Sequence, residues 1–171
     1  MTDKVKKILN NQIKEEFYAA YLYLALAGRL ESMNLKGMAN WMYVQAKEEL
    51  DHAMGFQRFL LERGEEPKLG AIEEPKLAGI KTPADMFAAA LKHEEKVTGL
   101  INKIYEAAKA DKDYAVESFI KWYIDEQVEE EASATEALER IKLAGDSAAI
   151  LMLDKEMGAR AYVPSGPYAK A

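Results

Sequence analysis

Four stretches of the chain share one spacing of inward-facing residues, and this spacing constrains the fold more than any other feature. Candidate core positions recur in alternating steps of four and three, which places them on one face of an α-helix. In the first stretch these positions are Leu9, Ile13, Glu16, Ala20, Tyr23, Ala27 and Leu30, and in the second they are Met38, Met42, Gln45, Glu49, His52, Phe56 and Phe59. In the third they are Phe87, Leu91, Glu94, Thr98, Ile101, Tyr105 and Ala108, and in the fourth they are Val116, Ile120, Tyr123, Gln127, Glu130, Ala134 and Ala137. The pattern predicts helices over about 3–32, 35–63, 83–110 and 113–143, and a shorter fifth helix over about 147–161. Thr2 and Thr82 are the expected N-caps of the first and third helices.

The connections between these helices predict how they are arranged. The first and second helices are joined by a few residues, as are the third and fourth, so each pair forms an antiparallel hairpin. The second and third helices are separated by 19 residues, Gly64 to Thr82. A helix of about 28 residues, the length predicted for the second and third helices, measures about 42 Å. The 19-residue link reaches about 60 Å when it is extended. The chain therefore predicts an all-α, single-domain four-helix bundle over 1–171 with one long crossover.

Each of the four apolar seams is interrupted by polar residues near its middle. The interruptions are Glu16, Glu49 with His52, Glu94, and Gln127 with Glu130. Adding 78 to positions 16, 49 and 52 gives 94, 127 and 130, so the two hairpins carry equivalent polar positions. We therefore expect these side chains to meet at one level inside the bundle.

Four carboxylates in one bundle core would repel each other and would be poorly hydrated, and both effects are unfavourable. Bound cations would offset this cost. Two divalent cations would balance Glu16, Glu49, Glu94 and Glu130. A set rich in carboxylate oxygens with one imidazole suits iron or manganese, with zinc as a competitor. A glutamate from each of two helices with E-x-x-H motifs on the other two is a known di-iron arrangement. Here one motif is complete and the other reads Gln127-x-x-Glu130.

The composition excludes several classes of protein and site. The net charge is −6, which argues against nucleic acid or an anionic membrane as a partner. The chain has no cysteine, so thiolate metal sites and cysteine nucleophiles are excluded. The first residues have no apolar core of the kind found in signal peptides, and this predicts a cytoplasmic protein.

Four segments carry a resemblance to a known family. They read "LNNQIKEEFYAAYLYLALA", "NWMYVQAKEELDHA", "ALKHEEKVTG" and "FIKWYIDEQVEEEAS". Together they closely resemble the non-haem ferritins of bacteria and archaea, and the resemblance runs through nearly the whole chain. It implies a hollow shell, usually of 24 subunits, that oxidises Fe(II) with O2 and stores a ferric mineral inside.

The resemblance also implies roles for individual residues. Glu16, Glu49 and His52 would hold one iron, and Glu49 would bridge to a second iron held by Glu94 and Glu130, with Gln127 close by. Tyr23 matches a tyrosine that can supply an electron. A third iron site would use Glu48, Glu126, Glu129 and Glu130. Without the resemblance, the acids outside the seams would be interpreted as solvated, as charge runs usually are: Glu48, Glu126, Glu129 and Glu131.

Related families are distinguished by single features of the sequence. Bacterioferritins have two complete E-x-x-H motifs and a haem-ligating methionine directly after the bridging glutamate. Leu50 stands at that position here, so we expect no haem. Rubrerythrins add a four-cysteine iron domain, and mini-ferritins lack the fifth helix and this set of ligands.

The first helix is apolar around most of its circumference between Tyr18 and Leu26, which indicates that it also contacts another subunit. Two alternatives to an iron-storing shell remain open at this point. One is a small di-iron oxidase or peroxidase without mineral storage, and the other is a helical assembly protein without a metal site.

Overall fold

The computed structural model describes residues 1–169, which form five α-helices and confirm the all-α prediction. They are α1 (Asp3–Ser32), α2 (Lys36–Glu62), α3 (Pro83–Ala110), α4 (Tyr114–Leu143) and α5 (Ser147–Met157). Four of the helices match their predicted ranges to within one residue at each end. No helix of the described residues has the length and apolar character needed to cross a membrane.

Most helices begin at a side chain that accepts a hydrogen bond from the first turn. Thr2 accepts from the amide of Val5, and Asp113 and Asp146 play the same role for α4 and α5. Thr82 caps α3 as predicted, and it forms a reciprocal capping box with Asp85. These caps satisfy amides that have no partner within the helix.

The fifth helix is shorter than predicted, because it ends at Met157 rather than near 161. The side-chain amide of Asn40 on α2 donates hydrogen bonds to the carbonyl oxygens of Gly158 and Arg160, at 3.4 and 2.9 Å. These contacts replace hydrogen bonds that a longer helix would have made. The chain then leaves the helix and runs along α2.

The helices pack as two hairpins, α1 with α2 and α3 with α4, and the long link between them follows α1. The amide of Lys68 donates to the side chain of Asn10 near one end of α1. Near the other end, the guanidinium of Arg29 donates to the carbonyl oxygens of Leu77, at 3.0 Å, and of Ile80. The link therefore travels the length of the bundle, as its size predicts.

Two apolar clusters fill the bundle, one toward each end. One contains Leu26, Met42 and Phe87, and the other contains Ile13, Phe56 and Ile120. The layer between them holds most of the buried polar side chains.

The inward positions predicted for α1, α2 and α4 are all buried, but α3 differs. It buries Ala90, Val97 and Ile104 in place of Leu91, Thr98 and Tyr105, which are only half-buried. The reason is that α3 also packs against α1, which turns its buried face.

Glycine allows α5 to dock closely on α2. A Cβ at Gly37 would lie 1.6 Å from the backbone oxygen of Asp154, so no other residue fits this crossing without movement. The side chain of Asp154 accepts a hydrogen bond from the amide of Met38 at 2.8 Å. This bond satisfies one of the free amides in the first turn of α2, where no residue acts as a side-chain cap.

Candidate metal centre

A layer of buried polar side chains crosses the bundle at the level predicted from the sequence. Each predicted ligand of the two-metal centre exposes 6% or less of its surface. They come from all four long helices: Glu16 from α1, Glu49 and His52 from α2, Glu94 from α3, and Gln127 and Glu130 from α4. The four-three spacing brings them inward, and the two hairpins bring them together.

The first group in this layer is Glu16, Glu49 and His52, whose potential ligand atoms all lie within 4.8 Å of one another. Nδ1 of His52 is 3.6 Å from an oxygen of Glu49. The side chain of Gln12 donates to one oxygen of Glu16 at 2.8 Å. The other oxygen of Glu16 and one oxygen of Glu49 are buried without any hydrogen-bond partner. Buried polar atoms are seldom left unpaired, so these two oxygens indicate a position for a cation.

The carboxylates of Glu94 and Glu130 are held by neutral donors. The hydroxyl of Tyr23 donates to Glu94, and the amide of Gln127 donates to it at 3.3 Å. The amide of Gln45 donates to Glu130 at 2.6 Å. Each donor leaves further lone pairs of its carboxylate free, so it can orient the group without preventing it from binding metal.

A second group of potential ligands shares His52 with the first and adds Glu126 and Glu130. Nε2 of His52 is 3.9 Å from an oxygen of Glu126, on the side opposite Nδ1. Glu94 does not join either group. The structure therefore brings Glu16, Glu49 and His52 together, whereas Glu94 and Glu130 do not share a compact group of ligand atoms.

Burial and mutual repulsion raise the pKa values of these carboxyl groups. Loss of water is the main cause of the raised pKa of Glu16, and the charge of Glu49 adds to it. The pKa of Glu49 is likewise raised by burial, then by the charges of Glu94 and Glu130. Burial, followed by the charge of Glu94, raises the pKa of Glu130 to about 8. Without a cation, part of this layer therefore holds protons near neutral pH, and a bound cation would release them.

The outer acids lie on one side of this layer. Glu48 and Glu126 are half-buried, and Glu129 is exposed. Together with Glu130 they line an open cavity of about 580 Å³, which Trp122 and the last described residues also border. The structure thus gathers the four acids of the predicted third site around one space.

Several residues that shape the centre were not identified as functional from the sequence. Gln12 and Gln45 orient two of the carboxylates, and their positions on or beside a seam could have indicated this role. The hydroxyl of Tyr123 donates to the backbone oxygen of His52 at 3.0 Å, which holds the helix turn that carries the imidazole. Arg160 and Ser165 also contact the centre, but they follow the last helix, where no periodic pattern predicts contacts.

The bundle and its layer of carboxylates around a histidine define a helical protein suited to metal binding, and comparisons with known proteins narrow the class. Residues 6–144 match the family model for the ferritin-like domain. A bacterial non-heme ferritin of Staphylococcus aureus (strain USA300) is 32% identical over 163 residues, which cover 95% of this chain and 98% of the relative. One from Bacteroides fragilis (strain 638R) is 34% identical over 160 residues, which cover 94% and 99%.

Solved structures agree with this assignment. A closed form of the Archaeoglobus fulgidus ferritin, engineered by site-directed mutagenesis, is 45% identical and superposes with a TM-score of 0.92, covering 95% of this chain and 99% of that one. An open-pore ferritin from the same archaeon is 44% identical with a TM-score of 0.91, covering 94% and 99%. The chain therefore belongs to the ferritin family.

Proposed function

We propose that this protein oxidises Fe(II) with O2 at the buried layer and stores the ferric product inside an assembly of many copies, in the cytoplasm. The observation that carries the proposal is the pair of unpartnered, buried oxygens of Glu16 and Glu49 beside Nδ1 of His52. Their donor types suit Fe(II), because carboxylates and one imidazole bind it without selecting a softer metal. Membership of the ferritin family supports ferroxidase activity in general.

Each residue of the layer has a proposed role in binding the iron substrate. Glu16, Glu49 and His52 hold the first Fe(II). Glu49 also faces the charges of Glu94 and Glu130, and we propose that these two acids hold the second Fe(II). Two Fe(II) ions side by side can give two electrons to one O2. The protein fixes both ions in a site closed to bulk water, which is the main contribution of a binding site of this kind.

Two uncharged residues complete the proposed centre. Tyr23 is fully buried and donates to Glu94, so its ring lies beside the second Fe(II) position and can supply an electron to the reaction. Gln127 replaces the glutamate of a second E-x-x-H motif. Its amide donates to Glu94, so we propose that it positions this ligand and stays close to the second iron without adding a charge.

Storage would require an enclosed space, which one bundle does not provide. The outer acids Glu48, Glu126 and Glu129 border a cavity that is open on one side. We propose that this side faces the interior of a shell of 24 subunits, the number usual in the family, and that these acids form a third iron site between the centre and the mineral. No haem has a proposed place in this mechanism.

The proposal is tested by adding Fe(II) aerobically to the assembled protein in increasing amounts. We expect fast oxidation of the first two Fe(II) per chain, followed by uptake of many more into particles that electron microscopy shows as filled shells. Glu49→Ala and His52→Ala should each slow the fast phase by about 100-fold, because a ligand is lost.

Glu136→Ala serves as the matched control, because Glu136 is exposed on α4 and lies outside the layer. Saturation at two or three iron ions per chain without mineral would instead support a small di-iron oxidase. Oxidation at the rate of buffer alone in every variant and in the wild type would contradict the proposed centre.

A further inference from the structure

The chain beyond α5 lies against the metal centre. This C-terminal segment, residues 159–169, follows α2 through three polar contacts. The hydroxyl of Tyr162 and the amide of Ser165 both donate to the side chain of Asp51, at 2.6 and 3.0 Å. The hydroxyl of Tyr168 donates to Glu62 at 2.7 Å. The segment therefore has a defined position along the side of the bundle that carries the outer acids.

Arg160 brings a positive charge to these acids. Its Nη2 donates to an oxygen of Glu48 at 2.7 Å and also to the side-chain oxygen of Gln45. The guanidinium lies over the ring of Trp41, 4.6 Å from its centre. Gln45 connects Arg160 to the buried layer, because the amide of Gln45 donates to Glu130. Arg160 thus neutralises the outer acid Glu48 directly and contacts the buried Glu130 through the side chain of Gln45.

Ser165 contacts the other side of the same cavity. Its hydroxyl lies 3.2 Å from Nε2 of His52 and donates to an oxygen of Glu126, also at 3.2 Å. The hydroxyl therefore links the outer nitrogen of the imidazole on α2 to an acid on α4. Together, Arg160 and Ser165 donate hydrogen bonds to two of the four acids around the cavity.

We propose that the C-terminal segment competes with a metal cation for the outer acidic cavity, with Arg160 acting as an internal cation at Glu48 and Ser165 closing the contact between His52 and Glu126. A cation held by Glu48, Glu126 and Glu129 repels the guanidinium that lies on Glu48, and it cannot use the lone pairs that Arg160 and Ser165 occupy. Binding therefore favours displacement of the segment, and by reciprocity the segment weakens binding. This inference rests on the proposed function, because the outer cavity is its third iron site.

The contacts of Arg160 are suited to being broken. Its Nη1 is buried and has no hydrogen-bond partner, so part of the guanidinium loses hydration in this position without compensation. If the guanidinium moves into water, Nη1 gains a hydrogen bond, and this offsets part of the free energy lost with the ion pair to Glu48. The segment thus gives the outer site a lower affinity than the buried layer, and we infer that the outer site fills last.

The test uses Zn²⁺, which binds without redox chemistry, and the full-length, metal-free assembled protein. Calorimetric titration should resolve two tight Zn²⁺ ions per chain and a weaker third. Arg160→Gln should tighten the third by about tenfold, and Ser165→Ala by about threefold, because each removes a competing contact. Arg140→Gln is the matched control, because it removes the same charge from an exposed pair with Glu156. It should leave all three affinities unchanged.

Hydrogen exchange provides a second measurement that does not depend on affinity. In the wild type, saturating Zn²⁺ should speed amide exchange within 159–169, and the amide of Ser165 should show the largest change. Unchanged or weaker binding of the third Zn²⁺ in Arg160→Gln, or unchanged exchange on saturation, would overturn the inference. Failure of the wild type to bind any Zn²⁺ tightly would instead contradict the proposed function.

Discussion

Glu16 and Glu49 illustrate how a functional residue can reduce the stability of its own fold. Each carries a buried oxygen without a partner, and the raised pKa values of both groups show that the layer disfavours their charged forms. A native protein keeps such groups where function requires them. The cations that we propose for this layer would offset the cost on binding, so the metal-free and metal-bound proteins should differ clearly in stability.

Replacing the central carboxylate with its neutral amide should separate these two effects. We expect Glu49→Gln to stabilise the metal-free protein by about 1–3 kcal/mol at pH 7, because it removes a carboxyl group that must either take up a proton on folding or be buried as a charge next to Glu94 and Glu130. The same change should abolish the rise in thermal midpoint on adding Zn²⁺. Calorimetry with and without a chelator measures both. A lower midpoint for the metal-free variant would contradict this account, and Glu136→Gln is the control on an exposed surface.

The hydroxyl of Tyr23 provides a test of the second metal position. Tyr23→Phe removes the donor to Glu94 but keeps the ring in its apolar surroundings. We expect the second Zn²⁺ to bind about tenfold more weakly, since a hydrogen bond to a charged group is lost, while the first is unchanged. Titration calorimetry measures the two affinities. Tyr114→Phe, at an exposed position, should change neither. Equal weakening of both metals would show that the hydroxyl does not act through Glu94.

At the scale of helices, the crossing of α2 and α5 depends on a residue without a side chain. Gly37→Ala should destabilise the protein by about 1–3 kcal/mol, because its Cβ would overlap the backbone of Asp154 and push α5 away. Gly28→Ala is the matched control within a helix, because nothing lies within 4 Å of its added Cβ. It should stabilise by about 1 kcal/mol. Thermal unfolding compares the two, and similar effects of both changes would contradict the close crossing.

The start of α4 should make stability depend on acid pH. Arg63 donates two hydrogen bonds to Asp113, at 2.9 and 3.0 Å, and these contacts lower the pKa of Asp113 below its usual value. A lowered pKa means that the stabilisation is complete above about pH 4 and is lost as the pH falls through the folded-state pKa.

Asp113→Asn keeps a side-chain cap for α4 but removes the ion pair. We expect it to lose about 1 kcal/mol at pH 7 and to show a smaller loss of stability than the wild type as the pH falls below about 4. Denaturant unfolding across pH measures this difference. Parallel pH profiles for the two proteins would show that the pair contributes nothing.

At the scale of the whole molecule, apolar side chains remain on the surface of two helices. Tyr21 and Leu24 of α1 are nearly half exposed, and Leu151 and Met152 of α5 are mostly exposed. A neighbouring copy would cover them in the proposed shell. Leu24→Glu should therefore yield smaller particles in light scattering, because it introduces a charge into that contact, whereas Leu24→Met should assemble normally. Wild-type assembly of the Glu variant would exclude this face as a contact.

The sequence by itself determined the helices and the level of the buried polar layer. Steps of four and three place Glu16, Glu49 and Glu130 on the inner faces of their helices, and the length of the link from Gly64 to Thr82 selects the bundle topology. These features are local or depend only on chain length, so they can be derived without a three-dimensional structure. The capping signals at Thr2 and Thr82 work in the same way.

Only the tertiary structure decided which faces pack at α3, where α5 ends and what the C-terminal segment contacts. Val97 and Ile104 are buried in the apolar cluster that also contains Leu9 of α1. Just beyond the end of α5, the side chain of Asn40 on α2 donates to two carbonyl groups of the chain. Arg160 and Ser165 reach the centre from a segment without periodicity. Contacts between residues far apart in sequence depend on how whole elements are placed, and no local pattern encodes that placement.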